Sequence, residues 1–213
     1  METMPYQFGM EDAIDTATLE PTSGWRAGLP ALAGAGVTVR ELRASDASSL
    51  YALLTTEEVA RFISPPPKTV QAFEQFIMWS HIRRAQGHYV CFGIVPDGED
   101  AAVGIIQIQL TADEPPEWGF VMGSPFWGTG LFVEAATAVL DFAFRHMGLE
   151  QLAARAGVDN GRGNGALRKV GAVRKEFIAN GFVGNGCVRA QYYWTVTRAD
   201  RSQRKITWDL ATH

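Results

Sequence analysis

Apolar positions along this chain change period several times, and each change marks an element. Val37 and Val39 alternate with polar neighbours up to Leu42, which predicts a first strand behind a loop-like run, Gly28 to Gly36. Ser45 and Asp46 then offer an N-cap for a helix through Ala47 to Leu54. A short helical piece, Glu57 to Ile63, stops where Ser64-Pro65-Pro66-Pro67 forbids continuation. Thr69 caps a longer helix from Val70 to about Gln86, with Phe73, Phe76, Ile77 and Ile82 near helical spacing and Gly87 as its stop. Two strand-like runs follow, Tyr89 to Val95 and Ala101 to Leu110, separated by the hairpin signal Pro96-Asp97-Gly98.

The most informative stretch comes next. A strand, Glu117 to Gly123, meets an almost wholly apolar helix, Leu131 to Met147, through a tight turn carrying Gly128 and Gly130. Such a turn leaves backbone N–H groups pointing outward at a helix N-terminus, where the partial positive charge favours phosphate. A phosphate-bearing cofactor is therefore expected. The helix, apolar on nearly every side, suits packing on a sheet that is itself covered. Beyond it, Gln151 to Val158 reads as a strand, Gly161 to Gly165 as a glycine-rich loop, and Ala166 to Val170 as a short helix. Two late strands, Val173 to Ile178 and Val188 to Thr197, finish the pattern, with Ile206 to Leu210 as a further edge piece. This order predicts one mixed α/β domain over residues 36–198, between an acidic extension (1–35) and a C-terminal tail (199–213).

Composition narrows the function classes. The chain has 213 residues, 46% of them hydrophobic, enough for one substantial core. A net charge of -4 and a pI near 5.6 argue against general nucleic-acid affinity. The segment from Arg155 to Arg189 is nonetheless basic, either a solvated surface or a positive rim beside an anionic ligand. Cys91 and Cys187 are far apart and in no metal-ligand spacing, which predicts free thiols in a reduced cytoplasm and no metal. Neither a secretory signal nor a membrane span is read from the apolar runs, so a soluble, cytoplasmic protein is expected.

With this order in view, the residues resemble the GNAT superfamily of acetyl-coenzyme A-dependent N-acetyltransferases, most of all its RimJ/RimL-like branch. Four segments carry the resemblance: Val39 to Ala47, Val103 to Ile108, Glu117 to Ala135, and Asn160 to Ala172. It implies a single α/β (α+β) domain with a splayed mixed sheet of about six to seven strands flanked by helices. The strands at Glu117–Gly123 and Gln151–Val158 would part and hold the pantetheine arm of acetyl-CoA. Main-chain groups of Val121, Met122 and Gly123 would pair with the pantetheine amides as a substitute strand. Backbone amides of the Trp127-Gly128-Thr129-Gly130-Leu131-Phe132 loop would receive the pyrophosphate. Asn160, with Asn164 beside it, would reach the arm or the acetyl end. The resemblance further implies an amine acceptor, such as a protein N-terminus, a lysine or a small molecule, and a homodimer is expected from edge pairing common in such folds.

Three departures from the family pattern stand out. Phe132 is bulky where Gly or Ala is common and must point away from the phosphates. Gly163 stands where Ser is usual. Leu167 stands where other branches place a Tyr thought to protonate the leaving thiolate.

Glu117 is the leading base candidate, because strand alternation puts it on one face with Gly119 and Val121; the alternative is a surface or ion-pair carboxylate. Tyr192, Tyr193 and Trp194, and likewise Phe76 and Trp79, are read as acceptor-pocket walls or as core. His81, His88, His146 and His213 form no ligand set. Beside the transferase reading stand a module that senses acyl-CoA without turnover and a nucleotide-dependent oxidoreductase. The last is disfavoured because Val133 occupies the third glycine position of a dinucleotide fingerprint.

Overall fold

A computed structural model describes residues 24–112, 114–184 and 187–201. In chain order the elements are β1 (Leu32–Gly34), β2 (Val37–Glu41), α1 (Ala47–Leu54), α2 (Glu57–Ala60), α3 (Val70–Ala85), β3 (Tyr89–Pro96) and β4 (Gly104–Gln109). There follow β5 (Glu117–Met122), α4 (Leu131–Arg145), β6 (Gln151–Gly157), α5 (Gly161–Lys169), β7 (Val173–Gly184) and β8 (Cys187–Thr197). They build one eight-stranded sheet in the order β1-β2-β3-β4-β5-β6-β8-β7. Every neighbouring pair is antiparallel except β5 and β6.

The expected α/β domain with helices on both faces is present, with more strands than the six to seven expected. The added strand is β1, from residues read as a loop. Its glycines have a packing reason: a Cβ on Gly34 would meet Val37 Cγ1 at 2.9 Å and Glu134 Cβ at 3.3 Å, so only glycine lets β1 cross close to α4. Gly36, at φ 73°, closes the turn into β2. Trp25, inside the stretch read as an acidic extension, is buried in the core. The expected edge piece at Ile206 to Leu210 lies outside the described residues.

Strand alternation divides the core in two. Val39, Phe92, Ile94, Ile106, Trp118, Leu152, Ala154 and Trp194 pack with α4 on one face. On the other, Tyr89, Cys91, Ile105 and Val121 pack with Leu50 and Leu54 of α1 and Phe73, Phe76 and Ile77 of α3. The late aromatics split accordingly. Trp194 is core, Tyr192 packs partly against it, and Tyr193 lies near Arg155, whose guanidinium carbon is 5.7 Å from its ring centre. Phe76 is buried, and Trp79 stacks on it with ring centres 6.2 Å apart.

Two polar joints pin the frame. Asp46, expected as an N-cap, makes no side-chain cap on α1. Its carboxylate accepts both Arg40 guanidinium nitrogens at 2.9 Å, the Arg43 N–H at 2.7 Å and the Ala102 N–H at 2.9 Å. Thr69 does cap α3, accepting from Ala72 N–H at 3.0 Å.

The second joint corrects the reading of residues 161–165. They are not a loop but the first turns of α5. Three glycines make a poor helix, so local propensity is overridden from outside. Asn160 Oδ1 caps the Gly163 N–H at 2.8 Å. Asn164 donates to the carbonyls of Gly157 and Asn160, both at 2.8 Å, and accepts from Trp194 Nε1 at 3.0 Å. A Cβ on Gly163 would fall 2.5 Å from Asn160 Nδ2, which explains glycine at that place.

A candidate cofactor cleft between parted strands

The sheet opens where β5 meets β6. Along β4, β5 is paired throughout, from Glu117 opposite Gln109 to Met122 opposite Gly104. Along β6 it pairs at Glu117 opposite Ala153, where Ala153 N–H donates to Pro116 C=O at 2.8 Å, and then the strands part.

Backbone parity decides which groups face the gap. Gly123 N–H donates to Val103 C=O at 2.9 Å, so odd-numbered residues of β5 turn their N–H and C=O toward β4. Phe120 and Met122 turn theirs into the gap. Of the three residues expected to present main-chain groups, Met122 presents its N–H, its C=O being taken by the Trp127 indole, while Val121 faces the β4 ladder and Gly123 is engaged by Val103 and Phe126. Phe120 is the group missed; counting alternate residues along the strand from Met122 identifies it.

The turn beyond β5 supplies further donors. Gly128 and Gly130 both have positive φ, at 79° and 91°, a conformation glycine adopts without strain. Thr129 Oγ1 donates to Phe126 C=O at 2.7 Å and tightens the loop. Among the described residues the N–H groups of Gly128, Thr129, Gly130 and Phe132 have no protein acceptor; the Leu131 N–H has only a 3.4 Å approach to Thr129 Oγ1. These unengaged donors sit at the N-terminus of α4. The Phe132 ring lies tilted against that of Phe120, with ring centres 4.2 Å apart.

Seam and turn open into a cavity of about 370 Å³. Val121, Met122, Trp127, Gly128, Gly130, Phe132 and Asn160 of the expected set line it; Gly123, Thr129, Leu131 and Asn164 do not. Asn164 has no amide atom to offer, being fully engaged in the joint described above. Trp127 links the two walls. Its indole N–H donates to Met122 C=O at 2.8 Å, and the Arg162 guanidinium lies 4.0 Å from its ring centre. Arg162 and Lys169, both on α5, place positive charge on the wall opposite β5.

Glu117 does not line the cavity. It sits where β5 and β6 are still paired, half-buried, and its carboxylate accepts from Arg155. Gly119 lays no side chain between Glu117 and Val121 on that face. Leu167 is buried in the core and offers no proton. Cys91 is buried in β3, and burial holds its thiol well above the ordinary range, so it is no nucleophile. His81, His88 and His146 do not line the cavity. Among the described residues no helix is long and apolar enough to cross a membrane.

Comparison with known proteins agrees with this geometry. The model of the acetyltransferase (GNAT) domain matches residues 37–173. The fold is similar to that of Mycobacterium smegmatis RimJ in complex with CoA-disulfide, with TM-score 0.73, 19% identity, and coverage of 84% of this chain and 90% of that one. It is also similar to the ribosomal-protein-S5-alanine acetyltransferase of Vibrio fischeri, with TM-score 0.72, 16% identity, and coverage of 80% and 98%. A GNAT-family acetyltransferase from Bacillus anthracis gives TM-score 0.68 at 19% identity, covering 79% and 98%. At such identities the likeness establishes the fold. No curated protein matches the sequence.

Proposed function

Because the chain belongs to the GNAT acetyltransferase family, we propose that it moves an acetyl group from acetyl-CoA directly to a primary amine, with the cofactor seated in the seam between β5 and β6. The observation that carries this reading is the row of unengaged N–H groups at Gly128, Thr129, Gly130 and Phe132, at the head of α4 and beside a strand edge left open. These donors would hold the diphosphate, and the main-chain groups of Phe120 would pair with a pantetheine amide as a missing strand does, leaving the Met122 N–H for the thioester. Asn160 lines the same cavity, with its Oδ1 already engaged by Gly163.

Bound acetyl-CoA supplies the acetyl group on a thioester. The protein's part is to place that group, polarise its oxygen and take a proton from the amine. The Met122 N–H, turned into the gap, is the proposed donor to the thioester oxygen, where charge develops during attack. The proton demand depends on the acceptor. An α-amine near pKa ~8 costs about 1.4 kcal/mol to deprotonate at pH 7, a lysine near ~10.4 about 4–5 kcal/mol. Glu117 is the proposed base, oriented by Arg155 at the narrow end of the seam. A thiolate resembling that of cysteine, pKa roughly 8.5, leaves without a dedicated acid, so the buried Leu167 is tolerable.

The test is a thiol-release screen with acetyl-CoA across peptides, polyamines and antibiotic amines, with mass spectrometry of the products. Amine-dependent thiol release with a matching acetylated product is expected. Saturable CoA binding without release for any amine would instead support the binding-only reading.

A further inference from the structure

The cavity wall separates its charges. Arg162 and Lys169 stand on α5, whereas Glu58 stands on α2, and Glu58 is the one carboxylate among the lining residues. Beside it lie Val59, Phe62 and Ile63. A diphosphate is a polyanion, so the α5 cations and the head of α4 suit it, and a carboxylate sharing its cavity repels it. Glu58 therefore serves no purpose toward the cofactor. To the fold it offers only a first-turn charge on the short α2, a position it shares with Glu57; among the described residues no hydrogen bond or ion pair engages it, unlike the fully engaged Asp46. What the wall leaves on offer is a negative charge flanked by apolar side chains, on the face of the sheet that carries Glu117, Gly119 and Val121.

We propose that Glu58 reads the positive charge of the acceptor, a primary ammonium carried on an apolar or aromatic body that rests against Val59, Phe62 and Ile63. The inference rests on the reading that the opposite wall takes the cofactor. Glu58 is a positioning residue for the ammonium form; the proton leaves later, at the seam. Since the carboxylate is exposed, its effect is modest, on the order of three- to fivefold.

Phenethylamine and phenethyl alcohol, alike in shape and unlike in charge, are the probes. Each is titrated into the CoA-saturated protein and into its Glu58→Gln and Glu57→Gln variants. Glu57 precedes Glu58 on α2, is exposed and does not line the cavity. The preference for the amine over the alcohol is expected to fall about three- to fivefold in Glu58→Gln, to persist in Glu57→Gln, and to shrink with added salt in the wild type. CoA affinity is expected to be no weaker in Glu58→Gln. A preference that survives Glu58→Gln, an equal fall in Glu57→Gln, weakened CoA binding in Glu58→Gln, or no amine binding at all would overturn the proposal. Failure of the wild type to bind CoA would instead strike the cofactor reading, and the same amine titration on the free protein still decides the role of Glu58.

Discussion

Two polar regions of this molecule use their hydrogen-bonding groups in opposite ways. Around Asp46 both carboxylate oxygens are taken, by Arg40, Arg43 and Ala102, within a fully buried site. At the head of α4, beside a cavity, a run of backbone donors has no protein acceptor among the described residues. Unmade hydrogen bonds carry a cost, so a fold keeps such groups either at water or where something else completes them. The satisfied cluster is structure; the unsatisfied row beside an open strand edge is where the proposed cofactor site lies.

The largest expected effect breaks the satisfied side. Asp46→Ala strands the Arg40 guanidinium in the core and is expected to cost about 3–5 kcal/mol of stability, read by chemical denaturation. The pH dependence sharpens the point. Burial pushes the Asp46 carboxyl up, but Arg40 and the Arg43 and Ala102 N–H groups more than offset it, leaving its pKa below the ordinary value. A depressed carboxyl stabilises the fold above its unfolded pKa, near ~3.9, and that contribution is lost as pH falls through the folded value. Asp46→Asn should therefore be less stable than wild type at neutral pH and lose less on acidification.

On the unsatisfied side, Gly130→Val strains a residue at φ 91° and moves its donors. Acetyl-CoA affinity should fall about 10- to 100-fold, read by titration calorimetry, in a protein that still unfolds cooperatively. Glu117→Gln should lower kcat at least about tenfold with the acetyl-CoA Kd unchanged; an unaltered kcat removes Glu117 from the mechanism. The smallest effect belongs to Arg162→Ala, which deletes the cation over Trp127. A loss of about threefold in CoA affinity, with a shallower salt dependence, is expected.

What was legible in the sequence follows the range of the forces involved. The Gly128 and Gly130 turn is local, so its positive φ and the helix after it were readable from a few residues. Asp46 was read as a cap because Arg40 and Ala102 reach it through the fold, the latter from 56 residues away. β1 and the start of α5 were read as loops because of their glycines. There, close approach to Glu134 in one case and to Asn160 in the other required glycine inside a regular element. The parting of β5 from β6 came from family resemblance, since no periodicity announces where a ladder stops.

The most direct test of the central claim follows individual amides by NMR while CoA is added. The resonances of Gly128, Thr129, Gly130 and Phe132 should shift together with those of Phe120 and Met122, while those of Val121 and Gly123, engaged in the β4 ladder, move less. Saturable CoA binding that leaves the turn's amides unmoved would contradict the account.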